Sequence, residues 1–472
     1  MKRRSFVQKA GLLTAAMLSG KLLAFADDPA FPVVRKLPAL RRFTSKTIDN
    51  VVSDFTAKVK NKEFAWLFNN CFPNSLDTSV AFATVNNLPD TYVSSGDIDA
   101  MWLRDSSAEV WAYLPFLRKD KALKDMVAGV INRQVKFILT DPYASSFFND
   151  PTKISEFKDD LTSMLPGVHE RKWELDSLCY PIRLSYRYWL QTKDTSHFDA
   201  NWQAAMKLIL KTFKEQQRKD NDGPYHFQRT TAWATDNLPM QGFGFPVKPV
   251  GLICSSFRPS EDAATFSFHV PSNFFAVLSL RQAAEMIRAV KGDEQVAQDM
   301  EALALEVRHA LQKYAIIDHE TYGKVFAYEV NGYGSYNLMD DANIPSLLAL
   351  PYLGTVSMSD PIYLNTRKMI LSADNPYFYK GKVAEGIGGP HIGKNMVWPM
   401  SIIVRALTTT DEGEIKTCLS MLQKSHGDTG FMHESFHVDN ARQYTRASFP
   451  WVNTMFGELL WKTYQERPDL LS

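Results

Sequence analysis

The run DKALKDMVAGVINRQVKFILT, residues 120 to 140, carries Leu123, Met126, Val127, Val130, Ile131, Val135 and Ile138 at intervals of three and four. That spacing gathers them on one face of an α-helix. The run opens on Asp120, whose short carboxylate suits the free N–H groups of a helix start. The residues before it, 106–118, also read as a helix, so the two segments are predicted to form a hairpin across a tight link.

Working outward, the same pattern fills most of the chain. Ile48, Val51, Val52, Phe55 and Val59 form another stripe. The spacing predicts twelve helices over 44–61, 106–118, 120–140, 177–191, 195–218, 272–292, 293–314, 343–353, 359–372, 394–408, 411–424 and 451–465. Asp194, Asp293, Asp360 and Asp411 repeat the position of Asp120 in short links. Long connections alternate with the short ones, notably Asp141 to Asp176 and Asn221 to Pro271. Loops of that length are usually functional. Strand-like pieces, Tyr322 to Val330 and Gly430 to Tyr444, would be small β-hairpins in these loops.

Six helical hairpins closing on themselves describe an all-α fold, an (α/α)6 barrel with the long loops gathered on one face. A solenoid would show a fixed-period repeat, and the sequence has none. One catalytic-sized domain is expected over 39–472, preceded by an extension at 27–38.

The first 26 residues read as an export signal. Lys2, Arg3 and Arg4 precede Phe6, a mildly apolar run follows from Ala10 to Leu23, and Ala24, Phe25, Ala26 form a small-x-small cleavage site. The paired arginines resemble a twin-arginine signal. The expected location is therefore exported, periplasmic or secreted. Cleavage removes five basic residues and no acid, lowering the formal charge from +1 to −4. No other stretch is long and apolar enough for stable membrane insertion.

The composition, 45% apolar and 22% charged over 472 residues, suits a folded domain and excludes binding of nucleic acid by phosphate neutralisation. Cys71, Cys179, Cys254 and Cys418 share no CxxC spacing and are expected as buried free thiols.

In a toroid the long loops feed the N-termini of the inner helices, where N–H groups face the central cavity. Polar clusters fall at those entries: Ser95 to Ser106, Glu170 to Ser177, Arg258 to Asp262 with Ser272 and Asn273, Asp340 with Asp341 and Asn343, His391 with Asn395 and Trp398, and His433 with Glu434, Arg446, Trp451 and Asn453. Each alone reads as a helix cap. Together they describe a cavity of carboxylates, Arg, Asn and Trp, with no phosphate-cradling Gly loop and no nucleophile elbow, which suits a neutral polyhydroxylated ligand. His391, His433 and His437 lack metal-ligand spacing, so no metal and no cofactor are expected. The pair Asp340–Asp341 also suggests a diphosphate–magnesium site, but the second acidic motif of such sites is missing.

The motifs GDIDAMWLRDS (96–106), ELDSL (174–178), SFRPSED (256–262), VPSNF (270–274), DDANIP (340–345) and GFMHES (430–435) resemble glycoside hydrolase family 125. The resemblance implies a metal-independent exo-α-1,6-mannosidase on an (α/α)6 barrel, acting with inversion on mannose-containing oligosaccharides. On matching motifs it implies Asp176 as general acid and Glu434 as general base; His433 and Arg446, close to Glu434 in the same polar cluster, are the candidates for donors to it. The expected ligands of the terminal mannose are Asp97, Arg104, Asp105, Arg258, Asn273 and Asn343, between walls of Trp102 and Trp398. Glu174 is expected to raise the Asp176 pKa, and Glu261 or Asp262 to supply a further contact. The alternatives are another (α/α)6 enzyme, an α-glucosidase or polysaccharide lyase, or a non-catalytic mannan-binding protein.

Overall fold

The computed structural model describes residues 31–472. The export signal read at 1–26 lies outside them.

Twelve α-helices of nine or more residues occur among the described residues. Eleven fall on predicted segments. The helix read at 120–140 runs Lys121–Thr140, with the Asp120 carboxylate accepting from Leu123 N at 3.0 Å. Asp293, Asp360 and Asp411 likewise cap the helices that follow them. Asp194 does not; the helix predicted to follow it starts at Ala200 with Asp199 as its cap.

The helices form two layers. Leu103–Trp111, Leu175–Thr192 and Val270–Ala289 pack side by side, the short helix Leu350–Leu353 rests on Val270–Ala289, and Pro399–Leu407 packs on Pro450–Glu466. Pro450–Glu466 returns to Leu103–Trp111 and closes the inner ring. Outside it, Lys121–Thr140, Ala200–Gln216, Glu294–Tyr314, Pro361–Ile370 and Glu412–Ser425 alternate with the inner helices along the chain. The fold is an (α/α)6 barrel whose apolar faces meet in one continuous core.

One further prediction needs correction, and one helix lies outside the predicted segments. The segment 343–353 is helical only over Leu350–Leu353. Pro345 offers no N–H and disfavours helical backbone at Ile344, while the Asp340 carboxylate takes Leu347 N and Leu348 N at 2.8 and 3.0 Å. The helix Lys62–Cys71 was not predicted. It buries Phe64, Ala65, Trp66, Leu67, Phe68, Asn70 and Cys71, and its ten residues give fewer than three turns over which a period could repeat.

Three small antiparallel sheets organise the long loops. Met101–Trp102 pairs with Ser146–Phe147, which pairs with Val168–Glu170. Phe268–His269 lies beside Glu329–Val330, and Met396–Val397 beside Ser435–His437. In each sheet one strand ends where an inner helix begins, at Leu103, Val270 or Pro399. Backbone pairing thus sets the entry of three inner helices. All four cysteines are buried and free. No helix among the described residues is long and apolar enough to cross a membrane.

Candidate active site

The inner helix Leu103–Trp111 begins three residues earlier than the sequence suggests, so Arg104 and Asp105 sit in its first turn. The next inner helix, Leu175–Thr192, carries Asp176 in its first turn and Glu174 as its N-cap residue. The two starts are neighbours, and Arg104 lies between their acids. Its Nη1 donates to Glu174 Oε2 at 2.7 Å and to Asp176 Oδ2 at 3.3 Å, and its Nε stands 3.5 Å from Asp105 Oδ1. Ser177 Oγ also donates to Glu174 Oε2, at 2.8 Å.

One guanidinium faces three carboxyls here, and all are buried. Burial raises the Asp176 pKa to about 6 against the opposing pull of Arg104. Burial likewise raises Glu174 well above the carboxylate range, with Arg104 opposing and the Asp176 charge adding to the rise. The pair therefore retains a proton near neutral pH. Arg104 Nε, Asp105 Oδ1, Glu174 Oε1 and Asp176 Oδ1 are buried and make no hydrogen bond. Buried polar atoms in native proteins are normally satisfied, by water, an ion or a ligand where the protein supplies no partner.

Glu434 enters from the far end of the chain, half-buried, just before the strand Ser435–His437. Arg446 Nη1 is 3.7 Å from Glu434 Oε1. The same guanidinium donates to Asp97 Oδ1 at 2.7 Å and to Ser95 O at 2.7 Å, and Ser95 Oγ donates to Asp105 Oδ2 at 3.0 Å. A continuous polar chain thus runs from Glu434 through Arg446, Ser95, Asp105 and Arg104 to Asp176. It depends on close approach of two loops. Gly96 has φ +62°, and a Cβ there would stand 2.4 Å from Ser448 O, so no larger residue fits.

A third group holds Asp262, His391, Asp341, Asn343 and Trp398. Asp262 Oδ2 meets His391 Nδ1 at 3.0 Å and Ser260 Oγ at 3.1 Å. Burial opposes charge on His391, but its hydrogen bond to Asp262 and the charges of Asp262, Asp341 and Glu434 outweigh that and raise it to about 9. Asn343 Nδ2 donates to Asp341 Oδ1 at 3.0 Å, while Asp341 Oδ2 and Trp398 Nε1 are buried without a hydrogen bond.

The acidic pair after SFRPS divides its work. Asp262 belongs to the His391 group, whereas Glu261 turns the other way, with φ +67°, and accepts from Trp102 Nε1. Lys172 Nζ lies 3.9 Å from Glu261, 3.2 Å from Glu170 and 2.5 Å from Asp236, and Arg229 pairs with Glu170 and Asp236. Burial, then the charge of Glu170, raises Glu261 to about 7 against Lys172 and Arg104. Lys172, Arg229 and Asp236 were missed in the sequence, where only the Glu170-x-Lys172 pair hints at them.

Two expected ligands, Asn273 and Arg258, and the expected donor His433 make other bonds. Asn273 accepts from Ile253 N and donates to Ile253 O and His269 O, each at 2.9 Å, so its amide fastens the preceding loop to its helix. Asn453 does the same with Met432 and Phe449. His433 bonds Thr429 Oγ1 and Arg446 O and stacks on Tyr444 at 3.6 Å, so it gives Glu434 no proton. Burial lowers it to about 4. Arg258 forms a two-point pair with Glu329 at 2.6 and 3.0 Å. Asp340 caps Leu347 and Leu348 rather than facing the cavity. Among the described residues no three His, Cys, Asp or Glu side chains are grouped to hold a metal ion.

The chain was compared with known proteins. It is 40% identical over 458 residues to the meiotically up-regulated gene 157 protein of Schizosaccharomyces pombe, covering 93% of this chain and 90% of that one. A solved structure from Streptococcus pneumoniae, described as a metal-independent α-mannosidase in a non-productive complex with α-1,6-mannobiose, is 39% identical with a TM-score of 0.86. That match covers 90% of this chain and all of the other. A bacterial glucoamylase bound to acarbose shares the fold at 14% identity and a TM-score of 0.56, over 89% of this chain and 59% of its own. The family model described as metal-independent alpha-mannosidase (GH125) matches residues 61–461. With the family model matching most of its length, the chain belongs to glycoside hydrolase family 125, the metal-independent α-mannosidases.

Proposed function

We propose that this protein removes terminal α-1,6-linked mannose from α-mannosides or N-glycan fragments, from the non-reducing end and with inversion. Asp176 is the general acid and Glu434 the general base. The observation that carries the reading is the contrast between the two carboxyls. Asp176 is fully buried, keeps one oxygen unpartnered and titrates near 6, so it holds a proton to give to the departing oxygen. Glu434 keeps 15% of its side chain open to solvent and lies 3.7 Å from Arg446, so water can reach the carboxyl that would act as base.

Inversion needs the acid beside the leaving oxygen and the base across the ring, with room between them, roughly 6.5–9.5 Å, for a water molecule. Asp176 and Glu434 come from segments far apart in the chain and are joined by one polar path through Arg104, Asp105, Ser95 and Arg446. Arg104, Asp105, Glu174, Asp341, Asn343 and Trp398 offer donors and acceptors to the hydroxyls of a single buried sugar. Trp102 and Asp262 position Glu261 and His391 at its edges, and Asp97 holds Arg446 from the rim. The 1,6 linkage is supported by the family motifs and by the mannobiose bound to the relative.

The test is to follow the anomer released from α-1,6-mannobiose by NMR. Initial release of β-mannose is expected; α-mannose, or no hydrolysis, overturns the reading. D176N and E434Q are each expected to lower kcat by about a thousandfold or more while remaining folded. We also propose export, supported by Arg3, Arg4 and Ala24 to Ala26; N-terminal sequencing of the periplasmic protein should begin at Asp27.

A further inference from the structure

Trp233 is 66% exposed, an unusual position for the side chain with the most apolar area to hide. Its backbone is nevertheless fixed. Trp233 N donates to Thr231 Oγ1 at 3.1 Å, and Trp233 O accepts from Asp236 N at 3.1 Å. Asp236 is held by Lys172 and Arg229, and Thr235 O accepts from Ala263 N at 2.6 Å. The indole is thus presented on an anchored turn rather than on a loose loop.

The anchor points to one side of the active site. Lys172 lies four residues before Asp176 on the same segment, and Ala263 lies two residues after Glu261, which receives the Trp102 indole N–H. The Trp233 turn is therefore fastened through Lys172 to the segment carrying the acid, and through Ala263 to the loop that carries Glu261 and Asp262. Exposure rises outward along this path, from none at Asp176, through 28% for the Glu261 side chain, to Trp233. In an inverting hydrolase the leaving sugar departs on the side of the acid.

We infer that Trp233 is a stacking platform for the second sugar on the leaving-group side, making the enzyme favour α-1,6-mannosides longer than a disaccharide. The inference rests on the proposed function, which fixes the side on which the leaving group lies. An indole face offers a sugar ring apolar contact that a solvent-facing loop would not otherwise supply.

The test measures binding by calorimetry in the E434Q background and turnover in the active enzyme. α-1,6-Mannotriose is expected to bind E434Q about tenfold tighter than α-1,6-mannobiose, the loss typical of one aromatic anchor. The W233A/E434Q protein should bind both alike, with mannobiose unchanged, and W233F should retain most of the preference. In the active enzyme W233A should raise KM for mannotriose alone and leave kcat unchanged. A preference that survives W233A, or its absence from the parent while mannobiose is still cleaved, overturns the role of Trp233 only. A wild-type protein that neither binds nor cleaves mannobiose overturns the proposed function, and this inference with it.

Discussion

Arg104 Nη1 stands 2.7 Å from Glu174 and 3.3 Å from Asp176, so a single buried cation serves two carboxyls that follow each other along one helix start. Removing it leaves both acids buried without a counter-charge. R104M is expected to destabilise the fold by about 3–5 kcal/mol, the usual cost of breaking one side of a buried ion pair. It should also lower kcat/KM by about a hundredfold or more. R104K keeps the charge but loses the fork, and should fall between. Denaturant unfolding with initial rates checks both effects.

Asp176 supplies its proton only below its own pKa. On the proposed mechanism, kcat/KM should therefore fall as pH rises, with an apparent pKa near 6 reporting the free enzyme. The direction is set by burial, which raises the group, against Arg104, which lowers it. R104M removes the opposing charge, so its alkaline limb should move to higher pH. A profile from pH 4 to 9 on α-1,6-mannobiose measures both; an R104M limb moved to lower pH would contradict the assignment of Asp176.

Asn273 and Asn453 are predicted to act through the backbone. N273A leaves Ile253 N, Ile253 O and His269 O without their amide partner in a buried setting, a loss of about 1–3 kcal/mol for each group that finds no replacement. Its melting temperature should drop by several degrees, while KM for mannobiose in the folded fraction stays close to wild type. A selective rise in KM at unchanged stability would instead make Asn273 a sugar ligand.

These residues also mark where the sequence is legible. The barrel reads well because most helices have one apolar face and a polar cap, as in Asp120 to Thr140. The helix Lys62–Cys71 escapes that reading because it is too short for its stripe to repeat, and 343–349 fails because Pro345 and the Asp340 carboxylate take over the backbone. Site residues show the same division. Arg104, Glu174 and Asp176 meet because motif spacing sets them in adjoining helix starts. Asn273 and His433 look identical in sequence to ligands, since an amide or imidazole at a cavity entry can bond a loop as readily as a sugar. Lys172 joins Glu261 across 89 positions, a pairing that no local spacing reveals.

His391 carries the last prediction. Its Nδ1 bonds Asp262 Oδ2 at 3.0 Å, and the charges of Asp262, Asp341 and Glu434 hold it protonated to about pH 9 despite burial. The folded pKa lies above the unfolded value, about 6.5. The stabilisation is therefore complete below about pH 6.5 and is lost as pH rises through 9. H391Q should melt lower than wild type at pH 6, and the two should converge by about pH 10. If the stability gap instead widens above pH 9, the charge on His391 is not what stabilises this corner.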